Sequence, residues 1–292
     1  MMVDFPSSVR TRDGLHLATR HWPLAGTRLA PAVALIVHGL GEHSGRYEHV
    51  AAHLNQLGWA AVGYDHRGHG RSPGPRGALR DHHDLLHDLA AVVDATRAAY
   101  PDRPLVLVGH SLGGAITARF VAAQAQPAEA ALAAPWARPV DGLVLSSPAL
   151  AIPLNPIQKL LLASVARLLP DLAVGNGLKP DWICHNPATV AAYLADPLVH
   201  DRITGRLSAW LVEAGQHARL RAARWTTPTL IMWGGEDRCV DPQGAAEFAA
   251  QAPKDRVQAQ PWPALSHEIF NEKEQAQVLA VLADWLSRAF PH

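Results

Sequence analysis

Apolar and polar positions alternate from Val9 to His21, and Arg12-Asp13-Gly14 interrupts the run with a turn signal. This pattern predicts an antiparallel hairpin at a sheet edge. Beyond it the chain becomes rhythmic. Ala32 to Val37 is an unbroken apolar run, and Tyr47, Val50, Ala51, Leu54 and Leu57 then recur at helical spacing until Gly58 supplies a stop. Ala60 to Tyr64 is a second apolar run, Leu85, Leu89, Val92, Val93 and Thr96 mark one helical face, and Leu105 to Val108 returns to strand. Ala115 to Ala125 has helix-forming composition, and Gly142 to Leu145 is a further strand. Apolar strands alternating with one-faced helices predict an α/β fold, a mostly parallel doubly wound sheet covered on both faces.

After Ser147-Pro148 the rhythm stops. Ala149 to about Arg224 holds helix-like segments and prolines without a convincing strand, and it reads as an inserted helical cap. Strands resume at Thr229 to Trp233 and Val257 to Trp262, and Val278, Leu279, Leu282, Trp285 and Leu286 place a closing helix on the sheet. The expected organisation is therefore a core in two parts, residues 1–148 and 225–292, with a cap at 149–224. Pro127 to Pro139 is Ala/Pro-biased and reads as a loop extension.

Composition narrows the function. Lys+Arg and Asp+Glu both total 26 in 292 residues, so the basic excess of a nucleic-acid binder is missing and a small or neutral partner is expected. Cys184 and Cys239 are too few for a disulfide framework and are expected to be free thiols. An early acid and a proline stand where a secretory apolar region would be, which predicts a cytoplasmic location. Ala151 to Val174 is the most apolar long segment, but Pro153, Pro156, Lys159, Arg167, Pro170 and Asp171 break it as a transmembrane span. Within it, Ile157 to Leu169 has a broad apolar face and reads as a partly exposed cap helix that packs against the cap, covers the pocket or rests on a lipid surface as a peripheral membrane contact. Trp182, Trp210 and Trp225 either line a lipid channel or fill the core of the cap. His83 and His87 stand four apart without a third ligand, so a polar helix face is expected there and no metal. Asp65, Arg67 and Arg71 read as salt-bridged support for the rim of a site.

In open α/β sheets the active residues follow the carboxyl ends of strands. Leu105 to Gly114 (LVLVGHSLGG) is strand, sharp turn and helix, with Ser111 at the apex of a G-x-S-x-G turn. A serine hydroxyl becomes a nucleophile when a neutral imidazole takes its proton, and that imidazole needs a carboxylate to fix its tautomer. His267 follows the last strand and precedes the last helix, which makes it the candidate base. Three acids follow the preceding strand. Asp241 precedes Pro242 and a helical run, so it reads as a helix cap; Asp237 and the adjacent Glu236 remain as triad acids. The order Ser111, Asp237, His267 is that of the α/β-hydrolase fold. The backbone N–H groups of Leu112 and Leu40 occupy the positions expected of an oxyanion hole. This chemistry requires no metal or organic cofactor, and the partner it implies is a small-molecule acyl ester.

HGLGEHSGRY (His38 to Tyr47), GYDHRGHGRSPG (Gly63 to Gly74), GHSLGG, GGEDR and SHEIFNE together resemble the monoacylglycerol lipase and lysophospholipase branch of the serine α/β-hydrolases. The resemblance covers nearly the whole core. It implies a triad of Ser111, Asp237 and His267, a cap that shapes an acyl pocket, and a headgroup region near Glu42, Arg46 and Tyr193. The activity it implies is hydrolysis of medium- or long-chain acyl esters, most of all monoacylglycerols, with lysophospholipase, general carboxylesterase, acyltransferase and peptidase as alternatives and a non-catalytic binding protein as the last of them. Two positions depart from the mammalian monoacylglycerol lipases. Phe270 stands where they carry a second histidine, and their cysteine near the acid lies one position after Cys239.

Overall fold

In the computed structural model, which describes residues 3–26, 29–124, 134–153, 158 and 164–291, the expected N-terminal hairpin forms. Strand β1 (Ser8–Arg10) pairs antiparallel with β2 (His16–Trp22). The apolar runs become β3 (Ala32–Val37), β4 (Trp59–Tyr64), β5 (Leu105–His110) and β6 (Gly142–Ser146), each buried along its whole length. Such burial is what unbroken apolar runs require when helices cover both faces.

Short antiparallel strands β7 (Ala173–Gly175) and β8 (Arg202–Thr204) form a separate ribbon, and β9 (Thr229–Gly234) and β10 (Val257–Trp262) complete the main sheet. Its order among the described residues is β1-β2-β4-β3-β5-β6-β9-β10; the β2–β4 pair is antiparallel and the six strands from β4 onward run parallel.

Seven helices matter for the site: α1 (Glu48–Gln56), α2 (Asp84–Ala99), α3 (Leu112–Val121), α4 (Pro187–Ala195), α5 (Gly205–Arg221), α6 (Pro242–Gln251) and α7 (Gln275–Ala289). Side chains alternate across a strand, so Ala32, Ala34 and Ile36 of β3 join α1 and α7 through Val50, Leu54, Val278 and Trp285. Val33, Leu35 and Val37 face the other way and join Val92 of α2, Ile116 and Phe120 of α3, and Phe248 of α6. Each such Leu, Ile, Val or Phe contributes about 1.5–3 kcal/mol by leaving water.

Two features of the insertion differ from expectation. It contains the β7–β8 ribbon where no strand was anticipated, because three-residue, mostly exposed strands carry too few alternations to register as a pattern. Helix α5, within the range read as cap, buries Trp210, Ala214 and Ala218 in the same cluster as the sheet. Trp225 is core as well: its ring meets Phe248 at 4.9 Å and its Nε1 donates to Thr229 Oγ1. Residues 157 and 159–163 of the Ile157 to Leu169 segment, and 127–133 of the Pro127 to Pro139 segment, lie outside the described residues.

Candidate active site

Ser111 sits between β5 and α3 with φ 53° and ψ −116°, a left-handed conformation that non-glycine residues adopt only when their surroundings impose it. Two glycines make that turn sterically feasible. A Cβ on Gly109 would lie 2.3 Å from Thr117 Oγ1, and one on Gly113 would lie 2.0 Å from the Val37 carbonyl oxygen. The turn is held from outside by Ser111 N–H donating to the Ser146 carbonyl and by Ala149 N–H donating to the Ser111 carbonyl. Leu112 opens α3, so its N–H is among the four that a helix start leaves without an intrahelical acceptor.

Asp237 lies beyond β9 and His267 beyond β10, and the parallel pairing of these two strands brings the loops together. His267 Nδ1 is 2.7 Å from Asp237 Oδ2, while Asp237 Oδ1 accepts the N–H groups of Cys239 and Val240. The carboxylate is thus anchored on one oxygen and engages the imidazole with the other. Burial alone would lower the pKa of His267, but the charge and hydrogen bond of Asp237, helped by Glu268 and Glu42, outweigh it and hold it above the usual histidine value. Glu236 is exposed and lies beside His185, and Asp241 caps α6 by accepting from Gln243 N–H. Of the three sequence candidates only Asp237 has a carboxylate hydrogen-bonded to His267.

Two hollows meet at Ser111. One, of about 200 Å³, is mainly apolar and bordered by Leu40, Leu112, Ile152, Leu178, Ile203 and Leu211. The other is narrow and more polar, bordered by Glu42, His110, Tyr193, His267 and Glu268. A larger cavity of about 450 Å³, between Arg67, Pro75 and Leu79 on one side and Asp171 and Arg206 on the other, shares no lining residue with either. Among the described residues Asp237, Cys239 and His267 are the one metal-capable trio, but Asp237 Oδ2 and His267 Nδ1 already bond each other. Burial pushes the Cys239 thiol well above its usual range, which keeps it protonated.

The remaining expected residues form a network. Glu42 accepts from Gly39 N–H at 2.6 Å, from Tyr47 Oη at 2.7 Å and from Arg46 Nη1 at 2.8 Å; Arg46 lies 4.9 Å from the centre of the Tyr193 ring. Burial would raise the Glu42 pKa, but Arg46, His110 and the Tyr47 and Gly39 hydrogen bonds together hold it below the usual carboxylate value. Arg67 pairs with Asp13, Asp84 and Asp88, whereas Asp65 accepts from Ser44 and from Arg71 N–H. Arg67 therefore braces the first hairpin and α2, and Asp65 stabilises two loops without a salt bridge to Arg67 or Arg71. Phe270 is buried in the hydrophobic cluster behind the sheet.

Sequence reading missed His110 and Glu268. His110 precedes Ser111 and its ring centre lies 4.7 Å from that of His267; burial, then His267, pulls its pKa down to about 4. Glu268 directly follows His267 and binds Arg46. Adjacency in sequence to the triad candidates was the available signal for both.

Comparison with known proteins identifies the family. The sequence pattern of the family described as serine aminopeptidase, S33, matches residues 30–274. The monoacylglycerol lipase of Mycolicibacterium smegmatis is 34% identical over 260 residues, 87% of each chain, and the human monoglyceride lipase is 35% identical over 246 residues, 83% of this chain and 76% of that one. The crystal structure of Paleococcus ferrophilus monoacylglycerol lipase superposes with a TM-score of 0.77 at 30% identity, covering 94% of this chain and 99% of that chain. The chain belongs to this family: it is a monoacylglycerol lipase-like α/β-hydrolase, on the lipase and esterase side of the superfamily.

Proposed function

We propose that the protein hydrolyses esters of a single acyl chain, monoacylglycerols foremost, through an acyl-enzyme on Ser111. The observation that carries this reading is the hydrogen bond from Asp237 to His267, whose ring borders the same pocket as the strained Ser111. His267 takes the Ser111 proton as Oγ attacks the ester carbonyl, and the N–H groups of Leu40 and Leu112 hold the oxyanion. His267 then gives that proton to the departing alcohol. Water, activated by the same imidazole, releases the acid.

The apolar hollow takes the acyl chain, and Ile152, Leu178, Ile203 and Leu211, from the proposed cap at residues 149–224, form part of its wall. At about 200 Å³ it falls below the roughly 300–1,000 Å³ of a drug-sized site, which favours medium-length chains over long ones. The alcohol faces the narrow polar hollow. Tyr193 borders it, while Glu42 and Arg46, engaged with each other, act through the shape and charge they give it.

The family description raises an aminopeptidase reading, which would need an unpaired carboxylate for a substrate ammonium group. Both acids that border the narrow hollow, Glu42 and Glu268, are tied to Arg46; the trio keeps a net negative charge, but neither carboxylate is free to seat an ammonium group, and the monoacylglycerol lipase relatives favour ester hydrolysis. Among the described residues no helix is long and apolar enough to cross a membrane. Leu168 (75% exposed), Leu169 (54%) and Leu172 (50%) are nevertheless open to solvent on the insertion, and they are proposed to meet lipid aggregates peripherally. Sedimentation with phosphatidylcholine vesicles at low salt tests this contact, and protein left wholly in the supernatant refutes it.

The substrate reading is tested by a hydrolysis panel of monoacylglycerols, lysophospholipids and simple esters of graded chain length, with Ser111→Ala as control. Turnover highest for medium-chain monoacylglycerols and lost in Ser111→Ala is expected. Wild-type rates in that variant would overturn the mechanism.

A further inference from the structure

Arg46 joins the two loops that bracket Ser111. From the turn after the Leu40 loop, its Nη1 and Nη2 donate to Glu268 Oε1 and Oε2 at 2.6 and 2.8 Å, and Nη1 also donates to Glu42 Oε2 at 2.8 Å. Glu42 carries the connection on to Gly39 N–H, one residue before Leu40. Glu268 carries it to His267, its neighbour in sequence, and is itself held by Asn271 Nδ2. The side chains of Arg46, Glu42 and Glu268 are only 11%, 4% and 7% exposed. A two-pronged guanidinium–carboxylate pair fixes orientation as well as distance, so the Leu40 and His267 loops cannot shift independently without breaking it.

The charge is unbalanced. Two carboxylates share one guanidinium in a site removed from water, a costly arrangement unless an additional positive charge compensates it. During turnover such a charge develops nearby, on His267.

We propose that Glu268 and Arg46 are positioning residues for ester hydrolysis: their clamp locks the loop of the base to the loop of an oxyanion donor, and its surplus carboxylate favours the imidazolium that forms on His267. The inference rests on the ester-hydrolase reading of Ser111 and His267. The clamp exchanges no proton; the proton travels from Ser111 Oγ to His267 and on to the leaving alcohol. The titratable or charged groups around His267 among the described residues are Asp237, Glu268, Glu42, Arg46, His110, Cys239 and Tyr193. Glu268 and Glu42 both work to raise the pKa of His267. Loss of either charge therefore moves the acid limb of kcat/KM to lower pH.

The test measures kcat and KM against pH for the full chain with a short p-nitrophenyl ester, comparing wild type, Glu268→Gln, Glu268→Asp and Ser111→Ala. Glu268→Gln is expected to lower kcat by about 10- to 100-fold, to change KM by less than about twofold, and to move the acid limb to lower pH. Glu268→Asp restores the charge and brings the limb back toward its wild-type position. A Glu268→Gln protein with kcat within about twofold of wild type and an unmoved limb overturns the proposal. If Glu268→Gln does not fold, Arg46→Lys keeps the charge and loses the fork: a lowered kcat with an unmoved limb supports the clamp, and an unchanged kcat overturns it. Ser111→Ala separates the two readings. An inactive Ser111→Ala beside an unaltered Glu268→Gln sinks only the clamp, whereas an active Ser111→Ala sinks the ester-hydrolase reading itself.

Discussion

Asp237 is held on both sides: Oδ1 by two backbone N–H groups and Oδ2 by the imidazole of His267. An amide at this position would keep the shape and lose the charge, so the imidazole could adopt the wrong tautomer. Asp237→Asn is expected to lower kcat by roughly 10³- to 10⁴-fold, the scale of triad defects in serine hydrolases, with an unchanged circular dichroism spectrum. A loss below about tenfold would show that another group orients His267. Because Asp237 and its neighbours hold the His267 pKa above 6.5, kcat/KM is expected to fall as pH drops through a midpoint above that value. Residue types and their order after the strands brought out Ser111, Asp237 and His267 as the candidates, and the structure sets His267 against Asp237 and in one pocket with Ser111. The Arg46–Glu268 pair was not readable, since its members lie 222 positions apart and neither sequence neighbourhood names the other.

At the scale of elements, legibility followed length and burial. The six- and five-residue strands β3 to β6 are buried throughout and stood out as apolar runs, and α7 declared itself through Val278, Leu282, Trp285 and Leu286 on one face. The β7–β8 ribbon did not, being three residues per strand and mostly exposed, with no alternation to read. The start of α6 was legible because Asp241-Pro242 is a capping signature, and the structure shows the cap hydrogen bond. Asp241→Ala is expected to cost about 1 kcal/mol in chemical denaturation while leaving kcat near wild type. A large loss of kcat would instead implicate Asp241 in the chemistry.

For the whole molecule, buried histidines couple stability to pH. His66 N–H donates to His38 Nε2, which accepts only while unprotonated; burial, then His69, pulls His38 down to about 3. Burial also holds His66 and His69 well below the usual value and His110 near 4. These groups stay neutral in the fold but take up protons in the unfolded chain below about pH 6.5, so unfolding binds protons and stability falls as pH drops below that value. His267 works in the opposite direction, as a single group against four. The melting temperature is expected to decline from about pH 7.5 to about pH 5; a flat or rising profile would mean that these imidazoles become charged inside the fold. The same scale holds the central claim, that one serine among all the side chains is made nucleophilic by the assembled loops. Its most direct test is reaction with a fluorophosphonate followed by peptide mass analysis. A single adduct on Ser111, abolished in Asp237→Asn and His267→Ala, is the predicted result, and an unmodified Ser111 in active protein would contradict it.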